Sequence, residues 1–308
     1  MWGVALGRAG RAGGPGGWVR RGPHDTAADG SVDEHLLTPD PGNNGPVACR
    51  AVSCYNGRMH AQLDLDTIRS VLIRQEETLI FALVERAQFK VNARIYQRGG
   101  MPIPDFAGSF VEYLLHGTEA LHATVRRYTS PDEHPFFEHL PAPILPALPA
   151  PSPIAATTVN INARIRQVYE QHIIPAVCAA GDDEQYGSSA VCDVACLQAL
   201  SKRIHYGKFV AESKYCRQPA AFAPLLRAGD AAGVLALITD AAVEARLLRR
   251  VERKAATYGQ EIDADGPTAA YKIPPRLIAD MYRDWIMPLT KDVEIAYLLE
   301  RQHAPVPA

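Results

Sequence analysis

"LSKRIHYGKFVAESK", residues 200–214, decides how the rest of the chain is read. It has no proline and one glycine, Gly207, so its composition is helical. At roughly 100° per residue, Arg203 and Lys214 return to nearly the same azimuth. Leu200, Ile204, Gly207, Val210 and Ala211 share that face, and the opposite face takes Ser201, Lys202, His205, Lys208 and Glu212. Two permanent cations therefore sit in the apolar stripe of a helix that has a polar face to hold them. An isolated buried ion is too costly to keep, so such groups must neutralise each other or meet a charged ligand.

Other helical stretches repeat the anomaly. From Leu63 the spacing of Leu65, Ile68, Leu72, Ile73, Ile80, Leu83 and Val84 predicts a long first helix, with Arg69 on its apolar stripe. In "LITDAAVEARLLRRV" Asp240 and Glu244 are an i,i+4 pair aligned with Leu237, Leu247, Leu248 and Val251. In "WIMPLTKDVEIAYLLER" Thr290 and Glu294 repeat that spacing and align with Met287 and Leu298. One account is a buried salt-bridge network among Arg69, Arg203, Lys214, Asp240, Glu244 and Glu294. The better account of the whole set is a pocket for a small anionic ligand with two carboxylates plus hydroxyl or ether oxygens.

Composition narrows the setting. The 308 residues carry a formal charge of −2, which gives no basis for tracking nucleic-acid phosphates. No apolar run reaches the ~18–20 residues of a membrane span. Six cysteines without CxxC spacing read as reduced thiols. No serine or cysteine nucleophile is paired with a histidine, and phosphate loops and metal clusters are lacking. His122 and His205 read as polar-face or satisfied core histidines.

Helices are expected at about 105–128, 160–180, 189–214, 239–258 and 274–301, with shorter pieces to 228. "PAPILPALPAPSP", 141–153, is a proline-rich connector. Alternating strand patterns are nearly absent, so the fold class is all-α, a single large helical domain over residues 59–308. Residues 1–58 differ. They are glycine-rich, and the first 24 residues carry Arg8, Arg11, Arg20 and Arg21 with no acid. They read as a plastid transit peptide, with a disordered leader or a mis-assigned start as the alternatives and the cytosol as the alternative location. "VACRAVSC", 47–54, is a candidate processing region.

Five collinear stretches carry a family resemblance: "IRSVLIRQEETLIFALVERAQF", "SPDEHPFF", "GDDEQYGSSAVCD", "CLQALSKRIHYGKFVAESK" and "WIMPLTKDVEIAYLLER". Over about Leu63 to Arg301 the chain resembles the all-helical eukaryotic chorismate mutases, the plant enzymes in particular. The resemblance implies a dimeric isomerase that converts chorismate to prephenate by a [3,3] rearrangement, in phenylalanine and tyrosine biosynthesis, with no cofactor. It places Arg69, Arg203, Lys214, Asp240, Glu244, Thr290 and Glu294 at the catalytic positions, Asp240 standing where fungal members have asparagine. It also implies a regulatory site for tryptophan, tyrosine or phenylalanine between subunits, at Arg126, Arg127, Glu184, Gln185, Gly187 and Ser188. The alternative from another class is a non-catalytic sensor of chorismate or aromatic amino acids on the same scaffold.

Overall fold

The computed structural model describes residues 64–147, 152–261 and 270–301. The expected leader, residues 1–58, and the candidate processing region lie outside the described residues. Among the described residues the architecture is helical, with one isolated bridge between Gln260 and Tyr271.

Helix α1, Leu65–Arg86, begins where the Asp64 carboxylate accepts from the amides of Asp66 and Thr67. Helix α2, Phe110–Thr124, opens on a reciprocal cap between Ser109 and Glu112. It is shorter than the expected 105–128, because Asp105 and Arg126 hold left-handed conformations on either side, with φ of 57° and 67°. Helix α3 covers 162–177 as Asn162–Val168, a π turn Tyr169–Ile173, and Ile174–Val177. Then come α4 (Tyr186–His205), α5 (Gly207–Arg217), α6 (Pro219–Ala228), α7 (Ala231–Ile238) and α8 (Ala241–Tyr258). Helix α9 covers 275–301 as Pro275–Met281, a π turn Tyr282–Ile286, and Met287–Arg301.

The stretch expected as one helix over 189–214 is two, joined at Tyr206. Tyr206 stays right-handed with ψ at −13°, and its amide still bonds the Lys202 carbonyl at 3.1 Å. The break is thus a local change of twist. Gly207 follows it for a steric reason. A Cβ there would fall 3.0 Å from both Thr290 Cγ2 and the Thr290 carbonyl oxygen. The bare glycine lets α5 lie directly on α9, which carries Thr290 and Glu294.

Two apolar clusters form the core. One gathers Leu79, Leu83, Leu115, Leu197, Leu200, Ile204, Val251 and Val293, and the other Ile68, Phe209, Phe222, Val234, Ile238 and Leu298. Each such fully buried side chain contributes about 1.5–3 kcal/mol. The face of the 200–214 stretch expected to be polar is also covered: Ser201, His205, Lys208 and Glu212 are buried. The chain around His134 and Val159–Asn162 crosses it. His205 donates from Nδ1 to the Ser201 carbonyl and accepts the Ile161 amide at Nε2, 3.0 Å away, as a satisfied core histidine. Burial first, then His134 and Lys208, push its pKa down to about 3. Lys208 bonds His134 Nε2 and the Val159 carbonyl, and burial lowers its pKa to about 8. Glu212 accepts from Tyr297 and from two nitrogens of Arg301.

Candidate active site

Six helices converge on a cavity of about 310 Å³. Its apolar walls come from Leu65, Ile68 and Leu72 of α1, Val210 of α5, Val243 and Leu247 of α8, and Met287 of α9. Arg69, Arg203, Lys214, Asp240, Glu244, Thr290 and Glu294 all line it, and so does Lys291. The cavity therefore brings together the seven polar residues singled out in the sequence, from α1, α4, α5, α8 and its cap, and α9. Two wider clefts, of about 620 and 680 Å³, are lined mainly by loops and hold no comparable set of charges.

The seven differ in depth. Arg203, Thr290 and Glu294 are buried, Lys214 and Glu244 are partly covered, and Arg69 and Asp240 are exposed. This corrects the expectation that all of them point into an apolar interior. The Arg69 side chain is 60% exposed and bonds Asp66 at 2.8 Å. Asp240 is the N-cap of α8 and accepts from the amides of Ala242 and Val243 through Oδ1. Helical spacing gave their azimuth correctly. Both lie at a helix end, where a stripe leaves the core and meets solvent.

Arg203, in the last turn of α4, is the deepest cation, 3% exposed. Its Nε and Nη1 are buried and meet no hydrogen-bond partner among the described residues. The Tyr282 ring, on the π turn of α9, lies 6.0 Å from its guanidinium carbon. Lys214 is held by the Ile238 carbonyl at 2.7 Å and by Glu294 Oε2 at 3.0 Å. The C-terminal end of α7 thus aims this ammonium into the cavity. Burial raises the Glu294 pKa above the usual carboxylate range, and Lys214 and then Arg203 only partly offset it. Thr290 donates to the Ile286 carbonyl at 2.6 Å, one turn back, and lines the cavity.

Lys291 escaped the sequence reading although a signal for it existed. Met287, Thr290, Lys291 and Glu294 follow i, i+3, i+4, i+7 spacing and share one helix face. Glu76 is a second omission. It is fully buried on α1 and takes Arg250 on both oxygens, at 2.9 and 2.6 Å, with Lys254 at 3.4 Å.

The residues expected at a regulatory site fall into two groups that do not meet within the chain. Arg126 bonds the Pro146 carbonyl, while Arg127 binds Glu133 at 3.1 Å, His122 at 2.8 Å and Gln198 at 2.9 Å. Gly187 and Ser188 lie in the first turn of α4, after Glu184 at φ 62° and the cap residue Gln185. Gln198 is eleven residues further along α4, roughly 16 Å from Gly187 at 1.5 Å per residue.

The chain is similar to known proteins over most of its length. A family model described as chorismate mutase type II matches residues 185–295. The chloroplastic chorismate mutase 1 of Petunia hybrida is 52% identical over 244 residues, covering 77% of this chain and 75% of its own. The structure of the Candida albicans chorismate mutase in complex with L-Trp has a TM-score of 0.76 and 42% identity, covering 80% of this chain and 95% of that one. The structure of AtCM1 with tyrosine bound in an allosteric site has a TM-score of 0.72 and 47% identity, covering 78% and 97%. Shared sequence over three quarters or more of both chains, on the same helical fold, makes this chain a member of the chorismate mutase family, the isomerases that turn chorismate into prephenate.

Proposed function

We propose that chorismate binds in the cavity as a dianion and rearranges there without a cofactor or covalent intermediate. The observation that carries this is the buried, unpartnered guanidinium edge of Arg203 in a cavity of matching charge. Arg203 and Arg69 hold the two substrate carboxylates, and Thr290 assists one of them by turning its hydroxyl proton from the Ile286 carbonyl to that carboxylate. Held this way, a flexible substrate is confined to the compact conformer whose reacting ends lie close together. As the C–O bond breaks, negative charge gathers on the ether oxygen. Lys214 donates to that oxygen, with protonated Glu294 as a second donor, and this bond strengthens in the transition state. Glu244 accepts from the ring hydroxyl, and Asp240 caps α8 at the rim. Incubating the full chain with chorismate in metal-free buffer tests the assignment. Prephenate should form as chorismate disappears, whereas binding without turnover would indicate a sensor.

Regulation and assembly belong to the same proposal. The chain is a homodimer whose effector site takes Arg126 and Arg127 from one protomer and Gly187 and Ser188 from the other. What supports this is their separation within one chain, together with exposed apolar side chains beside both groups: Leu121 and Val125 at the end of α2, Val191 near the start of α4. The structural relatives bound to tryptophan and tyrosine point to aromatic amino acids as the effectors. Beyond its chain neighbours and the backbone of its own helix, no atom lies within 4 Å of where a Gly187 Cβ would stand, so Gly187→Asp fits inside the protomer. It should abolish the response to added tryptophan, tyrosine or phenylalanine while basal turnover stays within about threefold. An undiminished response would move the effector elsewhere. Residues 1–58 are assigned as a plastid leader, in keeping with the chloroplastic name of the Petunia relative. Fused to a fluorescent protein, they should direct it into plastids, and cytosolic fluorescence would reverse the assignment.

A further inference from the structure

Lys291 faces Glu244 across the mouth of the cavity, with Nζ 2.7 Å from Oε1. The two side chains are 25% and 28% exposed, so the pair is neither in the core nor free in solvent. Lys291 stands on α9 between Thr290 and Glu294, and Glu244 in the first turn of α8. We propose that Lys291 is a positioning residue that neutralises and orients Glu244, so that a dianionic substrate can bind beside a carboxylate.

The lining holds the carboxylates of Asp240 and Glu244, with Glu294 kept protonated, against Arg69, Arg203, Lys214 and Lys291. Arg69 already shares its charge with Asp66, and Lys214 is committed to the ether oxygen beside protonated Glu294. A dianion entering this space is repelled by any carboxylate left uncompensated, and the repulsion is strong where the walls are apolar. Glu244 is the carboxylate most at risk, since it stands on the wall with Val243 and Leu247. Lys291 removes the net charge of Glu244. By pinning Oε1 it also leaves Oε2 as the oxygen able to accept from a substrate hydroxyl. An ordinary surface pair, by contrast, contributes almost nothing when removed.

The inference rests on the cavity being the chorismate site, so the unmutated chain must first turn over chorismate. Its failure to do so would overturn that reading rather than this one. Given turnover, the test is a double-mutant cycle in the full chain with Lys291→Met, Lys291→Arg, Glu244→Gln and Lys291→Met/Glu244→Gln. Glutamine keeps an accepting oxygen but loses the charge. Lys291→Met should raise KM about tenfold with kcat within about threefold, because the lost term acts on substrate binding. Lys291→Arg should keep KM within about threefold, since the charge remains. In the Glu244→Gln background, Lys291→Met should change KM by less than about twofold, as no charge is left to neutralise. An unchanged KM in Lys291→Met, read on a sample whose thermal midpoint matches the unmutated chain, would reduce the pair to a surface contact. A tenfold KM penalty that persists without the Glu244 charge would make Lys291 a direct substrate ligand. A fall in kcat alone would assign it to the chemistry. Each of these three results overturns the proposal.

Discussion

Arg86 and Arg203 are both buried, 0% and 3% exposed, yet they keep opposite company. Arg86, at the end of α1, donates from Nε to Asp193 at 2.6 Å and from its other nitrogens to the carbonyls of Phe89, Lys90 and Val91 and to Tyr96. Asp193 in turn accepts from Tyr169 at 2.7 Å and Tyr96 at 2.8 Å. That network is closed within the protein. Arg203 lies in the last turn of the helix that carries Asp193, but its Nε and Nη1 find no protein partner among the described residues. A closed buried network specifies a fold, whereas a buried cation left open on a cavity is stable only with an anion to receive it. The contrast separates residues that hold the molecule together from residues held ready for substrate.

The largest effect should come from the ligand side of that contrast. Lys214→Ala removes the donor expected at the ether oxygen, and kcat at saturating chorismate should fall about 10³-fold. KM should change far less, because the bond strengthens only as charge develops. A variant with near-normal kcat and a raised KM would assign Lys214 to ground-state binding instead.

On the closed side the expected loss is of stability. Arg86→Met leaves the Asp193 carboxylate buried against two hydroxyls alone, and the fold should lose about 3–5 kcal/mol, measured by denaturant unfolding. Unfolding close to that of the unmutated chain would mean that Asp193 tolerates isolation, and the contrast with Arg203 would collapse.

Glu294 sharpens the comparison through pH. Its pKa is raised by burial, so it keeps its proton to higher pH than an ordinary carboxyl. The protonated donor is complete below that raised pKa and is lost as pH climbs through it. The kcat profile should therefore decline on the alkaline side. Glu294→Gln, which donates at any pH, should retain activity and move the optimum upward. An unchanged profile would remove Glu294 as a donor.

Much of this was legible in sequence, for a physical reason. Helical period fixes azimuth, so Arg203, Thr290 and Glu294 could be placed on inward faces from spacing alone. Depth is another matter. Arg69 and Asp240 share the correct azimuth but stand at helix ends, where the stripe reaches solvent. Ser201, His205, Lys208 and Glu212 were assigned to a polar face, yet loop residues from His134 to Asn162 and the end of α9 cover them. Periodicity describes one helix at a time and carries no record of what crosses it. The break at Tyr206 was hidden for a similar cause, since both flanking segments keep right-handed geometry. Lys291 carries no signal by itself, because a lysine beside an acidic residue on a helix reads as solvated surface. Its partner Glu244 is 47 positions away in the chain.

The thermal midpoint of Arg203→Met tests the central claim most directly. If Arg203 is kept for a substrate carboxylate, exchanging its guanidinium for an apolar side chain of similar reach removes a buried charge whose Nε and Nη1 have no hydrogen-bond partner among the described residues. The account predicts a midpoint equal to or above that of the unmutated chain, in a protein whose turnover has fallen by about 10²-fold or more. A midpoint lowered as far as that of Arg86→Met would contradict it, because Arg203 would then be part of the structure's own bonding.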